Sequence, residues 1–464
     1  MTNPTSTLSR DCDAAAFAAD SLLLIPDHLM LRQGPVRDHA VLVEGGKFRD
    51  IGSPADLAAH HPHLTPIRLP GKVLMPGMID AHHHLTQSFG KSLAYGEPSE
   101  IFRRVWVPLE ASLDDEFVYG VSKLAALESL RGGFTTVCDA GTRAAEGLDA
   151  VAAATRDAGV RCVLGKICND DGSRHAEVLA EAEKFLGHSN PLLHHSLAVS
   201  IPEVATDAML HAASRLCAEA GAVFQVHVNE HLASVERSLV ARGLRPLQHL
   251  GAAGVLGPQA LLAHCTMLAP DELMLLRDSG SAVAINPVAS QWKGNAVAPT
   301  GLLAAMQVRL GLGTDGTRSD GFRMMDAGEA NQRIAFGLAS GDSSCGGGRL
   351  WLDLATRGGA DAAGLGAVTG SVEIGKAADF LLVDLDVPEL TPSWDLSWEL
   401  VRLAARDQIV SVHVGGRMRL WRGWPVDWDA RALLAEVRRI ARDSVARAPI
   451  QKVHPGSEFS SAVV

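Results

Sequence analysis

The sequence contains no C-x-x-C pair, no G-x-S-x-G elbow and no Walker-type phosphate loop, which removes zinc knuckles, serine-hydrolase chemistry and P-loop nucleotide hydrolysis from consideration. No apolar run approaches the ~18–20 residues that a membrane span needs. Positive charge is also scarce: 42 Lys and Arg against 53 Asp and Glu leave a formal net charge of -11. With no basic stripe interleaved with aromatics to offset it, nucleic-acid binding is not expected. Seven cysteines (Cys12, Cys138, Cys162, Cys168, Cys217, Cys265 and Cys345) form an odd set without framework spacing, so buried thiols are expected rather than disulfides. Residues 1–13 lack the basic and apolar regions of a secretory leader, from which a cytoplasmic location is expected.

One apparent motif is set aside. Gly311-Leu312-Gly313-Thr314-Asp315-Gly316 matches G-x-G-x-x-G, but it lies far from the N-terminus at a strand end, and Asp315 would put negative charge where a pyrophosphate must sit.

What the sequence does hold is a set of imidazoles and carboxylates, each at the end of an apolar segment that reads as a separate strand. His82 and His84 fall in Met78-Ile79-Asp80-Ala81-His82-His83-His84, where the two-residue period of a strand turns them to one side and His83 to the other. His227 closes Val223-Phe224-Gln225-Val226 and is followed three residues on by Glu230; His264 closes Ala260-Leu261-Leu262-Ala263; Asp315 closes Val308 to Thr314. Each residue alone is weak, since a strand-end histidine is more often structural and a strand-end aspartate is often a helix N-cap. In the order H-x-H, H-x-x-E, H, D, at the C-terminal ends of parallel strands, they make the mouth of an α/β barrel carrying a hydrolytic metal site.

A chain of 464 residues accommodates a (β/α)8 barrel plus a small domain. Apolar segments at 21–26 and 39–52, the latter with a Gly45-Gly46 hairpin turn, and again at 375–384 and 409–417, predict one β-sandwich built from both termini. The expected boundaries are 1–75 and 371–426 for the two parts of the sandwich, 76–370 for the barrel, and 427–464 for a C-terminal helix and tail. Between them, helical patterns near 206–220, 231–242, 270–278 and 325–338 alternate with strands. A capping box at Ser112 and Asp115 predicts a helix reaching Leu130.

Taken together, Pro76 to Leu85, His227 to Glu230, His264, Leu312 to Gly316 and Gly375 to Asp384 resemble the amidohydrolase superfamily, in its chlorohydrolase and cytosine/guanine-deaminase-like branch. The resemblance implies that His82, His84, His227 and Asp315 bind one divalent metal, zinc before iron. The cation would bring the pKa of its water to about 7 and supply hydroxide at neutral pH. By the same resemblance Asp315 is also the proton acceptor, His264 polarises the water and the developing oxyanion, and Glu230 passes a proton to the ring nitrogen and the leaving ammonia. The fourth barrel strand, near Ser196 to Ser200, carries no lysine that could bridge a second metal, and Lys166 falls one strand too early.

The implied activity is hydrolytic deamination of an aminated N-heterocycle, a purine- or pterin-like ring such as 8-oxoguanine or isoxanthopterin. Gln87, Trp106 and Trp292 are the candidate substrate contacts. The alternatives are a triazine-type hydrolase releasing chloride or an amine and, further off, a non-catalytic barrel. Asn286-Pro287-Val288-Ala289-Ser290-Gln291 departs from the Cys-Pro-x-Ser-Asn form common in the branch. A homo-oligomer is common in the family, and no membrane partner is expected.

Overall fold

The computed structural model describes residues 13–97, 101–145, 147–187, 190–341 and 344–453; Cys12 and the ends of the expected terminal segments lie outside them. Eight parallel strands follow one another around a barrel in chain order: Met78–His83, Phe134–Asp139, Arg161–Ile167, Leu193–Val199, Phe224–Val228, Ala260–His264, Ala282–Ile285 and Arg309–Leu312. The strands are short and mostly buried because helices cover them outside and side chains fill them inside. The last strand meets the first through the Asp315 amide, which donates to the His82 carbonyl at 2.9 Å. Buried Asp80 strengthens this joint by accepting from the Thr314 amide at 2.9 Å and the Thr314 hydroxyl at 2.6 Å.

Both termini contribute to a second sheet, as the pattern predicts. Its hydrogen bonding makes one continuous nine-stranded sheet, joined where Phe380–Asp384 pairs antiparallel with Ile67–Pro76. The period of two explains its placement. Phe380 and Leu382 face a core that the sheet encloses with Leu22, Val41 and Phe48, whereas Leu381 and Val383 face the barrel helices. A strand buried on both faces has to be apolar, as Phe380 to Val383 are, while Asp384 at its partly exposed end pairs with Lys72 at 2.8 Å.

The helices fall at Asp207–Ala220, Leu232–Arg242, Pro270–Ser279 and Gly321–Ser340, with a terminal one at Ala430–Arg447. One expectation is corrected. The helix predicted to start at the Ser112 capping box spans Asp115–Arg131, and Asp114 caps it by accepting from the Phe117 amide at 2.9 Å. The Ser112 hydroxyl instead donates to the Leu109 carbonyl at 2.7 Å, because residues Val107–Ala111 form a separate short helix that ends there.

Gly313 belongs to the barrel and not to a phosphate loop. A Cβ on it would lie 2.2 Å from Asn286 Oδ1 and 2.9 Å from His82 Cβ, so only glycine lets the first, seventh and eighth strands converge at the mouth.

Candidate metal centre

The C-terminal ends of the strands bring all six chemistry-bearing residues to one place. His82 Nε2 and His84 Nε2 each lie 3.3 Å from Asp315 Oδ1, and His84 Nε2 lies 3.1 Å from His227 Nε2. One ligand atom from each of these four residues falls within 4.8 Å of the others. Four atoms arranged tetrahedrally at ~2.0–2.1 Å around a zinc stand roughly 3.3–3.4 Å apart. His227 Nδ1 is held 2.5 Å from the Ser200 carbonyl, so its Nε2 turns a lone pair inward. His82 Nε2 is buried with no hydrogen-bond partner. Burial lowers the pKa of His82 and His227, which keeps both in the neutral form that binds a cation. The donor set therefore fits a divalent metal.

His83 turns the other way, as alternation requires, and its Nε2 lies 3.2 Å from the Ser319 hydroxyl. Lys166 is on the third strand and pairs with Glu181 at 2.9 Å, remote from the ligands. Among the described residues no lysine of the fourth strand exists to bridge a second ion. Cys265 is fully buried in the layer packed outside the barrel.

Glu230 and His264 stand beside the ligand set, with His264 Nε2 3.7 Å from Glu230 Oε1. Asn286 Nδ2 donates to His264 Nδ1 at 3.2 Å, leaving the imidazole proton on Nε2, aimed at the centre. Burial holds the His264 pKa down to about 3, against the pull of Glu230 and Asp315. The backbone here is strained. Of the eight non-glycine residues with positive φ among the described residues, Asn229, His264, Cys265 and Asp315 sit at these strand ends. Such conformations cost of order 1–3 kcal/mol each and cluster at functional sites.

The sequence reading missed Lys293 and His231. Lys293 Nζ lies 2.7 Å from Glu230 Oε1 and 2.5 Å from Asp315 Oδ2, and His231 Nε2 lies 3.2 Å from Glu230 Oε1. Burial opposes the Lys293 ammonium, but the two carboxylates outweigh it and raise its pKa. Burial likewise opposes ionisation of Glu230 and Asp315, yet the neighbouring His264, Lys293 and His231 at Glu230, and Lys293 with hydrogen bonds from His82 and His84 at Asp315, pull both well below the usual carboxylate range. Neither residue has ligand spacing in the sequence; only the adjacency of Lys293 to Trp292 hinted at it.

A cleft of about 830 Å³, counting its open mouth, reaches this cluster and is lined by Gln87, Trp106 and Trp292 among others. Trp292 packs against Trp106 at 6.4 Å and edge-on to Tyr95 at 5.3 Å. Trp106, at 7% exposure, also belongs to the apolar wall with Leu93, Val105 and Leu109.

Residues 73–419 match the model of the amidohydrolase family. The chain belongs to this family. It is therefore a hydrolase of carbon–nitrogen bonds in a metal-dependent fold, as the motifs implied. It is 29% identical over 418 residues to a 5-methylthioadenosine/S-adenosylhomocysteine deaminase of Syntrophobacter fumaroxidans, covering 87% of this chain and 93% of that one. A solved adenosine deaminase of Xanthomonas campestris with bound zinc superposes with a TM-score of 0.83 at 26% identity, covering 92% of this chain and 98% of that one. An atrazine chlorohydrolase of Arthrobacter aurescens shares the fold with a TM-score of 0.80 at 19% identity, covering 90% of this chain and 99% of the other. No helix among the described residues is long and apolar enough to cross a membrane.

Proposed function

We propose that this chain is a mononuclear hydrolytic deaminase of an aminated bicyclic N-heterocycle, with 8-oxoguanine and isoxanthopterin as the leading candidates. The observation that carries the reading is the meeting of four candidate metal donors with Glu230 and His264 beside a cleft whose lining includes His84, His227, Glu230 and Asp315. His82, His84, His227 and Asp315 would hold the cation, zinc before iron. Bound there, it would supply Lewis-acid activation of water.

The protein groups then have separate tasks. Trp106 and Trp292 wall the cleft and keep the ring beside the ligands while excluding bulk water. His264 offers its Nε2–H to the oxygen on which negative charge builds as water adds to the amino-bearing carbon. Asp315 takes a proton from the attacking water. Glu230, ionised at rest, picks up the other proton of the water and gives it to the ring nitrogen, then relays the proton held by Asp315 to the departing nitrogen, so that the C–N bond breaks with loss of ammonia and a lactam carbonyl remains. His231 and Lys293 hold Glu230 in place for both transfers.

Relatives named as adenosine-type deaminases support the purine-like ring. The fold shared with an atrazine chlorohydrolase keeps a triazine hydrolase as the second reading. The test is ammonia release from guanine, 8-oxoguanine, isoxanthopterin, cytosine and 5-methylthioadenosine, set against chloride release from a chloro-triazine. A bicyclic aminated ring turning over fastest supports the proposal; a chloro-triazine turning over fastest removes it.

A further inference from the structure

Along one wall of the cleft, the hydrogen bonds already made determine which polar atoms remain for a substrate. Gln87 and Ser200 both line the cleft and are 6% and 3% exposed. Gln87 Nε2 donates to Glu110 Oε2 at 3.2 Å. Glu110 is a carboxylate paired with Arg143 Nη1 at 2.7 Å and can only accept. The Gln87 amide therefore cannot be reversed, and its carbonyl oxygen, with no donor among the described residues, is left for the cleft.

Ser200 shows the opposite polarity. Its Oγ accepts from Arg143 Nη2 at 2.8 Å and from Asn169 Nδ2 at 3.0 Å. Asn169 cannot be reversed either, because its Oδ1 accepts from the Ser200 amide at 3.0 Å. A hydroxyl has two lone pairs and one proton. With both lone pairs used, the proton has to be given away, and among the described residues no side chain or carbonyl takes it. Arg143 ties the two residues together, since it shares Glu110 Oε2 with Gln87, reaches Ser200 with its other terminal nitrogen and lies 4.6 Å over the Phe102 ring.

We infer that Gln87 and Ser200 read complementary groups on the substrate, a ring N–H at Gln87 and an oxo oxygen at Ser200. The preferred substrate thus carries a lactam-type edge away from the amino carbon that reacts. The inference rests on the deaminase reading and narrows it. An N9-glycosylated adenine has no ring N–H to offer Gln87, which is left with a ribose hydroxyl as its donor. A 2-aminopurine or 2-aminopteridine, which has no oxo oxygen, cannot satisfy Ser200. Leaving one such buried group unpaired lowers binding on the order of 10- to 100-fold.

The experiment compares kcat/KM and dissociation constants for two matched pairs, each an oxo ring with its oxo-free analogue: guanine with 2-aminopurine and pterin with 2-aminopteridine. It uses the metal-loaded wild type and the variants Ser200→Ala, Ser200→Thr and Gln87→Met, each checked for metal content. The wild type should prefer the oxo member. Ser200→Ala should lose on the order of 10- to 100-fold on that member and much less on its partner, and Ser200→Thr, which keeps the hydroxyl, should recover most of the loss. Equal losses on both members would mean that Ser200 only supports the backbone carbonyl holding His227, and the inference would fall. Preferential binding of the oxo members that Ser200→Ala abolishes, with no ammonia released, would overturn the deaminase reading and leave the recognition intact. Ammonia release without any oxo preference would do the reverse.

Discussion

Lys293 holds its ammonium nitrogen 2.5 Å from Asp315 Oδ2, while Asp315 Oδ1 lies 3.3 Å from the Nε2 atoms of His82 and His84. One carboxylate thus faces the ligand set with one oxygen and a fixed cation with the other. The lysine reduces the negative charge available to a divalent ion. Charges a few ångströms apart interact by about 4 kcal/mol at an effective dielectric of 20, before relaxation and solvent reduce that figure. Lys293→Met should therefore bind zinc more tightly, by tenfold or more in competition with a chelator, while turnover falls because Glu230 loses its fixed partner. Weaker zinc binding in the variant would show that Lys293 orients Asp315 for the metal instead of competing with it.

Metal content follows from the ligand count. Elemental analysis of the purified protein should give about one divalent ion per chain, and His84→Ala should lose the ion and the activity together. Two tightly held ions per chain would remove the mononuclear assignment.

Glu230 borders the ligand set without completing it. Glu230→Gln should retain its metal and lose ~10²- to 10⁴-fold in kcat, the usual worth of general acid–base catalysis. A variant that loses its metal would make Glu230 a ligand.

Trp292 lies between Tyr95, Trp106 and the cleft. Trp292→Ala should raise KM for bicyclic rings more than for cytosine at unchanged metal content, and an unaltered substrate ranking would limit Trp292 to packing.

Far from the centre, His413 is buried in the terminal sheet, stacked 4.1 Å from Phe380, with Nε2 3.1 Å from the Ser411 hydroxyl. Burial lowers its pKa to about 3, below the ~6.5 of an unfolded histidine. The stability from keeping it neutral is present above pH 6.5 and is lost progressively as pH falls toward 3. Urea unfolding at pH 7.5 and pH 5 should show the wild type losing roughly 2 kcal/mol more than His413→Phe between the two. Parallel losses would mean that His413 is protonated or solvated in the folded state.

The amino-acid sequence by itself carried the barrel and the positions of His82, His84, His227 and Asp315, which the fold brings within 4.8 Å of one another. Strand periodicity decides locally that His82 and His84 share a side and His83 does not, and an apolar run ending in His227, His264 or Asp315 marks a strand end whatever the remaining chain does. The apolar texture of 21–26 and 380–384 likewise announced a sheet from both termini. Its continuity as one nine-stranded sheet could not be read, because pairing Phe380–Asp384 with Ile67–Pro76 joins residues some 300 positions apart.

Tertiary structure decided the electrostatics and the polarity of the cleft. Lys293 meets Glu230 across 63 residues, Arg143 meets Ser200 across 57, and Thr314 meets Asp80 across 234. None of these pairs has a spacing, period or propensity that local sequence expresses. A lysine becomes part of an active site, and a glutamine becomes an acceptor instead of a donor, only when folding in a low-dielectric interior fixes which of their hydrogen bonds are already taken.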